Sequence, residues 1–152
     1  MELTLDKNQI LEFQQNRDPY LMIDSATKVV PGKSAEGFKE LSKNEWFFQV
    51  HWPDDPNMPG MLQVEALVQM ASLSILTLPN NKGKIMYLTS ADKLSFKKKI
   101  IPNSKFEIVT EVIMWKRGMG KFKGTGLVNG EICCNAEFSL ILPDEIKMFK
   151  VK

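Results

Sequence analysis

The chain has 152 residues, 43% of them hydrophobic and 25% charged, with a formal net charge of +2. That balance describes one globular domain over residues 1–152 with a real core, and excludes fibrous and disordered classes. No apolar run reaches bilayer-crossing length and "MELTLDKNQILEFQQN" lacks the apolar centre of a signal peptide, so no membrane partner and a cytoplasmic location are expected.

Asp6 followed by Gln9 reads as a capping pair, and Ile10, Leu11 and Phe13 predict a short amphipathic helix. "YLMID" and "TKVV" read as extended chain, with a turn at Pro31-Gly32 and "SAEGFKEL" returning as the second strand. Pro59 to Leu76 is the longest helical stretch, with Pro59 at the first helical position. Its apolar residues do not keep to one face, which marks a helix buried on most sides. Glu65, Gln69 and Ser72 are spaced by four and three and form one narrow polar stripe. After "NNKGK", segments rich in β-branched and aromatic residues predict three or four antiparallel strands, with a hairpin at Asn129-Gly130. Cys133 and Cys134 are adjacent and read as reduced, buried strand residues. The expected fold class is α+β: one antiparallel sheet wrapped around the long helix, with the first helix and the terminal "DEIKMFKVK" peripheral.

The stretch "HWPDDPNMPGMLQVEAL" holds the sole histidine, His51, and an acid, Glu65, fourteen residues later inside the greasy helix. An imidazole titrates near neutrality and suits a general base. A carboxyl in apolar surroundings is desolvated, which raises its pKa and keeps it a proton donor. Gly60 stands at the helix start, where free N–H groups lie and where a missing side chain lets a carbonyl approach. Glu65 is five residues further, about 7.5 Å along the axis. Base, oxyanion donor and acid thus bracket one small substrate group.

"HWPDDPNMPGMLQVEALVQ" resembles the active-site signature of the bacterial β-hydroxyacyl-acyl-carrier-protein dehydratases, the FabZ and FabA type. "RDPYLMID" is similar to that family's Arg-x-Pro-Phe-Leu-Leu-Val-Asp segment, and "NEWFFQVH" to its approach to the histidine. "ADKLSFKKKIIPNS" and "RGMGKFKGTGLVNGEICCNAEFSLIL" resemble two later strand blocks, so the likeness runs from Arg17 to Leu142. The resemblance implies the hotdog fold and dehydration of (3R)-3-hydroxyacyl-acyl-carrier-protein to the trans-2-enoyl product. It implies His51 as catalytic base, Glu65 as catalytic acid, Gly60 as the amide that polarises the thioester carbonyl, and Tyr87 as a substrate-binding residue near the acyl tunnel. It also implies a homodimer or a trimer of dimers, because histidine and acid of one site come from different subunits.

Four positions depart from the family pattern: Ser25, Val50, Asp54 and Gly120. They leave open an alternative, a non-catalytic hotdog protein that binds acyl ligands or a protein partner. Lys97, Lys98, Lys99, Lys116, Arg117, Lys121 and Lys123 gather positive charge that would attract an acidic carrier protein. No nucleic-acid motif is present, one histidine with two adjacent cysteines makes no metal site, and no phosphate-binding glycine loop calls for a cofactor.

Overall fold

Asp6 caps the first helix as its spacing predicts, its side chain accepting from Gln9 N while the Gln9 side chain accepts from Asp6 N, both at 2.9 Å. A computed structural model describes residues 1–149, in the order β1 (Leu3–Leu5), α1 (Lys7–Phe13), β2 (Ser25–Val30), β3 (Ser34–Leu41), α2 (Trp46–Val50), α3 (Gly60–Leu76), β4 (Tyr87–Phe96), β5 (Ser104–Lys116), β6 (Met119–Val128), β7 (Glu131–Ile141) and α4 (Pro143–Met148). The strands form one antiparallel sheet in the order β1-β2-β3-β5-β6-β7-β4.

The sheet curls around α3, which packs on β2, β3, β5, β6 and β7. From Gln63 to Leu76 every α3 residue except Glu65 is buried. That is the hotdog arrangement which the all-round apolar pattern demands, since a helix without a polar face needs cover on every side. Leu67, Met70, Leu73 and Ile75 are fully enclosed, each contributing about 1.5–3 kcal/mol of burial.

Several expectations need correction. Pro59 is the N-cap rather than the first helical residue, and the helix starts at Gly60. "YLMID" is not a strand; its backbone is held instead by the Gln69 side chain of α3 and by Phe38 O. β1 and α2 have too few residues to show a period. "IMYLTSA" and "KLSF" are one strand, β4, joined through irregular register between Leu88 and Ser90 and between Asp92 and Ser95. α4 has no buried residue and is peripheral; the final "KVK" of the terminal segment lies outside the described residues. Cys133 and Cys134 are buried free thiols, and burial pushes Cys134 up to about 11.

Candidate active site

The loop between α2 and α3 places the imidazole. His51 caps the C-terminus of α2, its amide donating to Phe47 O at 2.9 Å. Its ring Nδ1 lies 2.8 Å from Asn57 O. A carbonyl only accepts, so Nδ1 carries a proton and the neutral tautomer this contact selects has its lone pair on Nε2, an assignment made from the partner. The ring stacks on Trp52, with centroids 4.9 Å apart. Trp52 is 63% exposed and is the left-handed residue of the loop at φ 57°. The family glycine's counterpart, Asp54, does not take that conformation.

The loop returns through Met58 N donating to Ile100 O at 2.8 Å, and Gln63 Nε2 donates to Met58 O at 2.9 Å. Leu62 N and Gln63 N both reach Pro59 O at 3.0 Å, leaving the amides of Gly60 and Met61 at the open end of α3. A Cβ on Gly60 would stand 2.9 Å from the Phe96 ring, so any side chain there must displace that ring. His51, Gly60, Gln63, Phe96 and Lys97 to Lys99 share one open depression of about 470 Å³. The Asp55 carboxylate is turned away onto Lys99 Nζ, at 2.7 and 2.9 Å.

Glu65 faces elsewhere. It lines a second, more enclosed cavity of about 210 Å³ with Val68, Gln69, Ser72, Met86 and Leu88. The polar stripe of α3 therefore looks into a cavity, with Gln69 and Ser72 buried. Burial pushes the Glu65 carboxyl above the usual glutamate range, opposed by hydrogen bonding from Gln69 and from Tyr20. Gln69 is itself fixed, its Oε1 accepting from Met22 N at 2.8 Å and its Nε2 donating to Tyr20 O at 2.9 Å. Burial, then the Glu65 charge, pushes the Tyr20 phenol up, so its hydroxyl stays a donor.

Within one chain the structure thus brings His51 and Gly60 together and sets Glu65 in a separate cavity. Tyr87 joins neither group. It lines a third depression with Lys82, Lys84 and Lys147, while its neighbours Met86 and Leu88 line the Glu65 cavity. Sequence reasoning missed Tyr20, whose hydroxyl stands where the family segment has Phe; that substitution within "RDPYLMID" was the available signal. Among the described residues no cluster of three or more His, Cys, Asp and Glu is arranged to hold a metal.

None of the four departures lines the His51 depression or the Glu65 cavity, although Val50 directly precedes His51. Val50 is 70% exposed, Ser25 pairs with Phe38 at the start of β2, and Gly120 lies on β6 opposite Trp115. A Cβ on Gly120 would stand 2.5 Å from the Trp115 ring, which fills that space.

A model of the FabA-like domain matches residues 15–137. The 3-hydroxyacyl-acyl-carrier-protein dehydratase FabZ of Bacillus licheniformis is 38% identical over 93% of this chain and 98% of its own. The enzymes of that name from Bacillus subtilis and Clostridium botulinum are each 37% identical, over 91% and 93% of this chain and 98% and 99% of their own. In fold, the chain is similar to the dehydratase heterocomplex ApeI:P of Xenorhabdus doucetiae, with a TM-score of 0.76 at 12% identity over 94% of this chain and 97% of that one. A hypothetical thioesterase of Streptococcus pneumoniae gives 0.59 at 12% identity over 74% and 80%. A family model over most of the length, and relatives above one-third identity from end to end, place this chain in the FabA-like family.

Proposed function

We propose that this protein removes water from (3R)-3-hydroxyacyl groups carried on acyl carrier protein, giving trans-2-enoyl thioesters in fatty-acid or related acyl-chain biosynthesis. The observation that carries the reading is the end-to-end likeness to curated dehydratases, joined to a histidine whose Nδ1 is tied to Asn57 O beside the open start of α3. The thioester carbonyl sits against the Gly60 amide, which with the helix dipole stabilises the enolate oxygen. His51 Nε2 takes the α-proton. Protonated Glu65 gives its proton to the β-hydroxyl, which leaves as water as the double bond forms. The imidazolium then returns a proton to the Glu65 carboxylate, so both groups are reset.

The two halves of this site come from two copies of the chain. β4 is the last strand of the sheet, and Tyr87, Leu88 and Phe96 on it are exposed. Phe96, at one end, borders the His51 depression; Leu88, at the other, borders the Glu65 cavity. Antiparallel pairing of two β4 edges puts the ends opposite each other, His51 of one copy facing the acid of the other. The same pairing brings Tyr87 beside the partner's His51 depression, where it serves as a substrate-binding residue. A trimer of such dimers is the larger assembly, each copy being one hotdog domain over residues 1–152 in the cytoplasm. Lys97, Lys98 and Lys99 at the mouth attract the acidic carrier.

The test is incubation of purified protein with 3-hydroxyacyl-acyl carrier protein of several chain lengths, followed by mass spectrometry. Loss of one water supports the reading; folded protein that yields no product at any length overturns it. Free thiol release would mark a thioesterase instead.

A further inference from the structure

Lys39 is a cation on the inward side of its strand. Alternation along β3 puts Ala35, Gly37, Lys39 and Leu41 on the buried face, and the Lys39 side chain is 6% exposed. A buried ammonium is costly unless paired. Its Nζ stands 3.6 Å from Asp24 Oδ1 and 3.4 Å from Glu45 Oε1, carboxylates from two different segments. Asp24 is fixed to the sheet: its amide donates to Phe38 O at 2.9 Å, and its Oδ2 accepts from Glu40 N at 2.8 Å. Glu45 is the residue before α2, and α2 ends at His51.

A five-residue helix is far below the length at which helix formation sustains itself. Its direction is set by what it touches. Phe47 and Phe48 are buried in the core, Trp46 Nε1 donates to Pro19 O at 3.1 Å, and Glu45 is drawn to Lys39. Without the cation, Asp24 and Glu45 would face each other as like charges, and the start of α2 would be pushed outward. The imidazole hangs from the other end of that helix.

We infer that Lys39, acting through Glu45, is a positioning residue that orients α2 and so aims His51 Nε2 into the depression it shares with Gly60. Lys39 does not line that depression. The kinetic part of this inference rests on the dehydratase reading; the structural part does not.

His51 is the sole histidine, so ¹⁵N-labelled protein gives one pair of ring nitrogen resonances, reporting tautomer and orientation directly. In Lys39→Met the pair is expected to shift or split. At the same time kcat falls about tenfold or more, with KM held within about threefold. Lys39→Arg, which keeps the charge, restores both. If Lys39→Met does not fold, Glu45→Gln carries the test, with the same changes in smaller amount. A folded Lys39→Met or Glu45→Gln with native ring resonances and native kcat overturns the inference, as does a variant that loses only thermal stability. A wild-type protein that dehydrates nothing would overturn the dehydratase reading alone, leaving the ring spectrum to decide this one.

Discussion

The His51 depression and the Glu65 cavity are built on opposite plans. The first is open, rimmed by lysines and fixed through backbone groups: Asn57 O on the ring, Ile100 O and Pro59 O on the loop and helix start. The second is enclosed and fixed through side-chain amides, Gln69 holding both the backbone beside Tyr20 and the environment of the acid. An acid that must keep its proton gains from desolvation, whereas a base that must reach a substrate needs an approachable ring nitrogen, which an open depression leaves free. The difference teaches that, if the proposed chemistry holds, neither region is a site alone. On the proposed reading each supplies one of the two reacting groups, and an edge strand runs between them.

The sharpest way to break this comparison is to ruin each region in a separate copy. His51→Ala and Glu65→Gln are each expected to lower kcat by about 10²–10⁴-fold. Mixed after unfolding and refolding together, the two inactive chains should recover about a quarter of wild-type activity, since half the dimers are mixed and each keeps one intact site. Recovery of nothing would mean that both groups act within one chain. Gly60→Ala comes next. Its Cβ meets the Phe96 ring at 2.9 Å and crowds the carbonyl's approach, so kcat should fall about tenfold. Its stability should change by under about 1 kcal/mol, because alanine favours the helix.

Much of this architecture is legible in the letters. The apolar circumference of α3 forces a wrapped sheet, and alternation in β3, β6 and β7 shows which face is inward. Glu65 is legible as an acid in a greasy helix. What escapes is set by tertiary contact. Five residues cannot announce α2, whose direction depends on Lys39. Lys39 itself was visible as a charge on the inward positions of "SAEGFKEL", a flag that local pattern alone left unread. Tyr87, named from the resemblance, lines a different depression from its neighbours Met86 and Leu88 within one chain, so its proposed role depends on a second copy, which no local pattern announces.

The third expectation concerns stability. The Glu65 carboxyl is raised by burial, so the folded state binds its proton more tightly than the unfolded chain. Between the unfolded value, about 4.3, and the raised folded value, stability falls as pH rises, and above both it stays reduced. Glu65→Gln should therefore melt higher than wild type at neutral pH. That advantage should fade below the unfolded value. A pH-independent difference in melting temperature would mean that the carboxyl is no harder to ionise folded than unfolded.

The smallest effect isolates Tyr20. Its hydroxyl favours the ionised form of Glu65, opposing the desolvation that keeps the proton on. Tyr20→Phe, which restores the family residue, removes that opposition and should move Glu65 further up. The acid then stays protonated to higher pH, and the alkaline limb of the kcat profile shifts in the same direction. At neutral pH kcat should change by less than about fivefold, the worth of one neutral hydrogen bond. His51, in the other region, should keep its ring resonances unchanged. A shift of the acidic limb instead would place Tyr20 in communication with the base, and the two regions would no longer be separable.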